Sequence, residues 1–304
     1  MEGDGVLRRG VLLVVAAFVV GCTASPPETP PSTTTSAPEA ERVYVSLGDS
    51  YATGYRPADA GVPAGSGRGF AHLVAERSGL RLVDLACSGA TSAQLRSGAG
   101  CAPANRGLDA PDPNGSQLDA AVRELRAHKG RVGLVTVVIG GNDLAPCARA
   151  QGTQVQEALA CASRAVADVR ANLAATLPVV REAAGDAPIV GLTYPDVFLG
   201  AWVSPAFPDG QGLARLSVSL FRDVFNPALK SEYEKAGAVF VDVTAATGGY
   251  GPLTETTQDA AHGPIPTPVA KVCTLTHFCR LADVHPTPAG HEVIADAVLA
   301  AVPR

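Results

Sequence analysis

Five short runs of continuous apolar, mostly β-branched residues recur along this chain: Val43 to Leu47, Leu80 to Leu85, Val132 to Ile139, Pro188 to Tyr194 and Ala238 to Val243. None alternates apolar with polar positions, so each predicts a strand covered on both faces, the environment of a parallel sheet. Helical spacing fills the intervals, over Phe70 to Ser78, Gln117 to His128, Gln154 to Ala184 with Pro178 a candidate break, Leu213 to Lys235, and Pro288 to Val302. Strands alternating with helices imply an α/β fold, a flavodoxin-like three-layer α/β/α sandwich around a five-stranded parallel sheet. A ligand site in such a fold belongs beyond the carboxyl ends of the strands.

The first forty residues are of a different kind. Arg8 and Arg9 precede an apolar run from Val11 to Val20, then Gly21 and Cys22, the order of a secretory signal and too short to span a bilayer comfortably. Val19-Val20-Gly21-Cys22 resembles the bacterial lipobox, which implies cleavage before a lipidated Cys22; an ordinary secretory signal is the alternative. Residues 23–40 are almost only Pro, Ser, Thr, Ala and Glu and cannot bury enough apolar surface to offset chain entropy, so a disordered tether is expected there. The domain organisation is therefore residues 1–22 signal, 23–40 tether and 41–304 one large α/β domain, anchored to the outside of the cell membrane or secreted. Acidic residues outnumber basic ones, 29 to 24, and no Lys/Arg cluster is interleaved with aromatics, which argues against nucleic acid and against a membrane-surface patch. A monomer touching the membrane only through its lipid is expected.

Beyond Cys22 stand six cysteines, an even number in an exported protein, and therefore three expected disulfides. Several connectivities are open; nearest-neighbour pairing, Cys87 with Cys101, Cys147 with Cys161 and Cys273 with Cys279, is preferred because each pair brackets a local loop.

Unusual residues gather at the strand ends. Gly48-Asp49-Ser50-Tyr51 follows the first run, where a glycine lets the chain turn and a serine can present its Oγ, although a helix cap reads the same way. Cys87-Ser88-Gly89 follows the second; Gly89 is either a turn residue or a backbone N–H kept clear of side chain beside a reacting oxygen. Gly140-Gly141-Asn142-Asp143 follows the third, offering an uncharged carboxamide donor, or else an Asx-turn. Near the end, Asp283-Val284-His285-Pro286-Thr287-Pro288 precedes the last helix; Thr287 and Pro288 fit an N-cap and first turn, while His285 has no such structural reason.

These four blocks, in this order and at these elements, resemble the GDSL, or SGNH, hydrolase superfamily from Val43 to Val302, in particular its secreted bacterial lipase and esterase branch. The resemblance implies a carboxylic ester hydrolase that needs no cofactor. Ser50 would be the nucleophile, His285 its base, and the N–H groups of Ser50 and Gly89 with the Asn142 side chain the oxyanion hole. One departure stands out: the family's acid usually lies three residues before the histidine, here Ala282, whereas Asp283 lies two before. Either Asp283 orients the imidazole, the preferred reading, or the Ala282 carbonyl does. No Gly-x-Ser-x-Gly elbow occurs, which argues against the α/β-hydrolase fold.

Three rival readings start from the same residues. Cys273, His277, Cys279, Asp283, His285 and His291 could hold zinc, although a disulfide between the two cysteines would remove its thiolates. A non-catalytic lipid- or glycan-binding lipoprotein would lack part of a constellation that is complete here. A carbohydrate acetyl esterase would use the same groups as a lipase. For the lipase, Phe198, Trp202, Phe207 and Phe221 are candidate acyl-pocket walls or simply core, and Thr244 to Pro268 a cover or a surface loop, with His262 a solvated bystander.

Overall fold

All five apolar runs become strands of one parallel sheet: β1 (Val43–Gly48), β2 (Arg81–Asp84), β3 (Val132–Val138), β4 (Ile189–Leu192) and β5 (Val239–Val241). The computed structural model describes residues 41–149 and 155–302; the signal, Cys22 and the 23–40 tether expected from the sequence lie outside them. Among the described residues no helix is long and apolar enough to cross a membrane. The strand order is β2-β1-β3-β4-β5, with β1 held between β2 and β3 so that Val45 lies opposite Val83 and Val135. Every residue of β1 is buried, as the unbroken apolar run requires. The doubly wound order leaves a crevice at the carboxyl ends of β1 and β3, where the connections leave in opposite directions.

Helices cover both faces. In chain order they are α1 (Phe70–Ser78), α2 (Ser92–Ser97), α3 (Gln117–Ala127), α4 (Gly141–Arg149), α5 (Val155–Ala184), α6 (Gly210–Leu220), α7 (Asn226–Lys235), α8 (Val243–Ala246), α9 (Thr267–Leu275), α10 (Phe278–Leu281) and α11 (Pro288–Ala301). α1 packs on α11, and α5 packs on α3 and α7. Pro178 does not break α5: Leu173, Leu177 and Val180 are all buried, and that packing outweighs one missing N–H. The expected single helix from Leu213 to Lys235 is continuous but contains a π-turn, Phe221–Phe225, which brings both phenylalanines inward. Thr244 to Pro268, expected as a cover or loop, instead contains α8, an antiparallel hairpin (Thr256–Asp259 with Gly263–Pro266) and the start of α9.

Three disulfides join Cys87 to Cys101, Cys147 to Cys161 and Cys273 to Cys279. One cysteine of each pair, Cys87, Cys147 or Cys279, lies at or next to a residue lining a cavity at the carboxyl ends of the strands. The residues that leave the sheet at those ends are thus held by covalent links in addition to packing.

Asp84, at the end of β2, is buried, and burial pushes its pKa up to about 7 against a hydrogen bond from the Ala86 N–H. Between roughly pH 4 and 7 the folded protein therefore holds a proton that the unfolded chain releases. The contribution is full below about pH 4 and is lost as the pH rises through 7. Asp84→Asn is expected to remove this dependence. Its stability relative to the parent, measured by urea unfolding, should improve on the order of 2–3 kcal/mol between pH 5 and pH 8. An offset independent of pH would assign no titration to this carboxyl.

Candidate active site

β1 ends at Gly48, whose φ of +147° and close approach to the Val138 carbonyl exclude any side chain: a Cβ there would stand 2.3 Å from that oxygen. Gln117, on the buried face of α3, grips both backbone groups of Gly48, accepting from its N–H at 3.0 Å and donating to its carbonyl at 2.9 Å. The next turn is held by Asp49, which accepts from the Tyr51 N–H at 3.0 Å and from the Tyr194 hydroxyl at 2.6 Å. Ser50 is thereby fixed at the mouth of a cavity.

His285 reaches the same point from the other end of the chain. Its Nε2 lies 2.8 Å from Ser50 Oγ, and its Nδ1 lies 2.7 Å from Asp283 Oδ1. The same carboxylate oxygen accepts from the His285 backbone N–H at 2.9 Å. The irregular spacing of acid and histidine has a local cause: Ala282 takes up a left-handed conformation, φ +50°, at the end of α10, which turns the chain so that Asp283 faces the imidazole. Burial raises the Asp283 pKa, but the hydrogen bond and charge of His285 outweigh it and leave the carboxyl below its ordinary range. An ionised Asp283 keeps the proton on Nδ1, so Nε2 accepts from the serine hydroxyl.

The histidine loop is braced on every side. The Tyr51 hydroxyl donates to the Val284 carbonyl, the His277 N–H donates to the His285 carbonyl at 2.9 Å, and the Tyr55 ring lies 4.5 Å from the imidazole. Thr287 caps α11 by accepting from the Gly290 N–H, as the sequence suggests. Cys273 and Cys279 are bonded to each other just upstream, which withdraws both thiolates from the zinc set. His291 sits buried beneath α1 with its Nδ1 accepting from the Phe70 N–H, and burial lowers its pKa to about 4. It is a neutral core residue there.

Gly89 and Asn142 line the same cavity as Ser50 and His285. Among the described residues, neither the Ser50 nor the Gly89 backbone N–H donates a hydrogen bond within the protein, so both are free for a ligand oxygen. Of the two reasons the sequence offered for Gly89, the turn fits: a Cβ would meet nothing within 4 Å, but its φ is +83°, a conformation that favours glycine. Asn142 donates one N–H to the Ala90 carbonyl at 3.0 Å and, among the described residues, its second has no acceptor. It lies in the first turn of α4 rather than in a loop. The neighbouring Asp143 accepts from both the N–H and hydroxyl of Ser92, tying α4 to α2. A hydrogen bond of 2.8 Å between Thr53 and Ser88 links the Ser50 turn to the Gly89 turn.

The cavity has a volume of about 800 Å³. Away from the serine its walls are apolar, supplied by Leu144 of α4, Leu213, Leu216 and Leu220 of α6, and Phe221 of the π-turn. Phe198 and Phe207 also line it. Trp202 does not: it faces a separate recess, with the Arg215 guanidinium 4.7 Å from its ring centre. No residue of the 244–268 segment lines the cavity, so the expected cover is not there.

The GDSL-like Lipase/Acylhydrolase family pattern matches residues 46–293, a span that begins on β1 and ends within α11 and so takes in Ser50, Gly89, Asn142 and His285 together. The chain belongs to this family. As a GDSL-like hydrolase it is a carboxylic ester hydrolase. It is 26% identical over 280 residues to Lipase 2 of Streptomyces coelicolor, covering 80% of this chain and 83% of that one. Among solved structures, phospholipase A1 from Streptomyces albidoflavus shares 19% identity with a TM-score of 0.53, over 86% of this chain and 100% of that one. The extracellular lipase of Streptomyces rimosus shares 21% identity with a TM-score of 0.53, over 86% and 99%. At these identities the two structures establish the GDSL hydrolase fold.

Sequence reasoning did not single out Gln117, Asp49, Tyr194 or Tyr51 as holders of the site. A glutamine at an inward position of an otherwise apolar helical face was the available signal for Gln117, and a tyrosine ending the fourth apolar run was the signal for Tyr194.

Proposed function

We propose that this protein is an exported lipolytic serine esterase that cleaves acyl esters through a covalent intermediate on Ser50. The observation that carries the reading is the unbroken hydrogen-bonded series Ser50–His285–Asp283 at the mouth of an apolar cavity.

Ser50 Oγ attacks the ester carbonyl carbon as its proton passes to His285 Nε2, and Asp283 holds the imidazolium that forms. The carbonyl oxygen takes the negative charge and is met by the free N–H groups of Ser50, Gly89 and Asn142. Collapse re-forms the carbonyl, breaks the bond to the alcohol oxygen and returns the His285 proton to that alcohol. Water, deprotonated by the same imidazole, then releases the acid and restores Ser50. No step calls for a cofactor.

Cavity size and lining support a fatty-acyl substrate, since a cavity of about 800 Å³ with mostly apolar walls is far larger than an acetyl group fills. Each buried methylene contributes about 0.8 kcal/mol, or roughly fourfold in binding. Along a p-nitrophenyl ester series from acetate to palmitate, kcat/KM is therefore expected to rise at least about tenfold from acetate to octanoate. A profile that is highest at acetate and falls with chain length would favour the small acetyl-ester alternative.

Export and anchoring rest on different observations. Three disulfides suit an oxidising compartment, and the signal-like run ending in Val19-Val20-Gly21-Cys22 supports a lipid on Cys22 with residues 23–40 as tether. The 41–304 domain would then act as a monomer outside the cell membrane.

A further inference from the structure

Tyr194 is a buried polar group beside the site to which the catalytic steps above give no role. It lies two residues beyond β4 and is almost wholly buried, with its ring edge-on to Tyr51 at 4.9 Å and its hydroxyl between two backbone turns. The hydroxyl donates to Asp49 Oδ2 at 2.6 Å and accepts from the Gly141 N–H at 3.0 Å. Burial, with Asp49 adjacent, keeps the phenol protonated far above its ordinary range, so it remains the donor to that carboxylate. Burial raises the Asp49 pKa to about 6.

Each end of this bridge holds a different part of the site. Asp49 uses its other oxygen to accept from the Tyr51 N–H, fixing the turn that carries Ser50. Gly141 directly precedes Asn142, and a Cβ at Gly141 would lie 3.0 Å from the Tyr194 ring, so the glycine allows the backbone to rest on the tyrosine. No other described group accepts the Gly141 N–H.

The geometry points to Tyr194 as a positioning residue that sets Asn142 at the right distance from Ser50, coupling the oxyanion hole to the nucleophile turn through Asp49. Tyr194 lines the cavity but does not touch the reacting atoms; it acts through Asn142. The inference rests on the serine-esterase reading, because only there is the Ser50–Asn142 separation a kinetic quantity. An oxyanion donor displaced by a fraction of an ångström stabilises the transition state less and leaves ground-state acyl binding alone.

The test is a double-mutant cycle on p-nitrophenyl octanoate hydrolysis with the parent, Tyr194→Phe, Asn142→Ala and the double variant, with folding checked by near-UV circular dichroism. Tyr194→Phe is expected to lower kcat about ten- to a hundredfold with KM within about twofold of the parent. Asn142→Ala should lower kcat about a hundred- to a thousandfold. In the Asn142→Ala background, Tyr194→Phe should cost less than about threefold, because the donor it positions is gone. Losses that multiply in the double variant, a KM rise as large as the kcat fall, or an unchanged kcat in Tyr194→Phe would each overturn the inference and leave the esterase reading standing. A parent enzyme without Ser50-dependent turnover would overturn that reading and this inference together.

Discussion

Ser50→Ala is expected to lower kcat by about 10⁴- to 10⁶-fold, leaving only what the oxyanion donors and substrate binding supply without a covalent step. The substitution removes one oxygen. Gly48, Gln117, Asp49 and Tyr194 hold the surrounding turn through their own contacts, so its shape and the acyl cavity should persist. KM or binding of a fatty-acyl product should accordingly change little, and the thermal midpoint should stay within a few degrees. Activity retained within about tenfold would assign the nucleophile elsewhere. Ser88, a second hydroxyl lining the cavity, would be the next residue to replace.

Asp283→Asn should produce the next largest loss, about 10³-fold in kcat. Asp283 Oδ1 accepts from both the His285 backbone N–H and the ring Nδ1, so one oxygen fixes the loop and the tautomer together. An asparagine whose carbonyl oxygen takes that place can still accept both contacts. It carries no charge to stabilise the imidazolium, and a flipped amide would present N–H to the imidazole and favour the wrong tautomer. Near-normal kcat in this variant would move the orienting role to the Ala282 carbonyl, the alternative that the family's usual spacing raises. Asp283→Glu offers a further check, since the added methylene moves the carboxylate off the 2.7 Å contact while keeping its charge.

The sheet was readable because buried parallel strands leave a period-free apolar signature. β1 and β3 fall within a residue of their expected limits, and β2, β4 and β5 come out shorter only at their ends. Long helices were readable for a related reason, although local rules misjudged two of them. Pro178 looks like a break from sequence, but three buried side chains around it hold α5 straight through. The π-turn at Phe221–Phe225 leaves no mark in a 3.6-residue pattern, since one extra residue per turn shifts the phase within the tolerance of that pattern.

Candidate site residues could be picked out where chemistry restricts the residue type. Ser50, Gly89, Asn142 and His285 fall at strand or helix ends and converge on one cavity. Asp283 was harder to place, because its position depends on a left-handed Ala282 that sequence does not announce. The supports were harder still. Gln117 and Tyr194 lie 69 and 145 residues from the groups they hold, and contacts of that separation are created by the fold rather than by any local motif.

Trapping the intermediate would test the central claim most directly. The oxidised 41–304 domain would be mixed with p-nitrophenyl octanoate, quenched in acid within the first turnover, and its mass and peptides measured. An increment of one octanoyl group, confined to the peptide containing Ser50 and absent from Ser50→Ala, is the predicted result. Full turnover with no acyl group on Ser50, or with the group on another residue, would contradict the account.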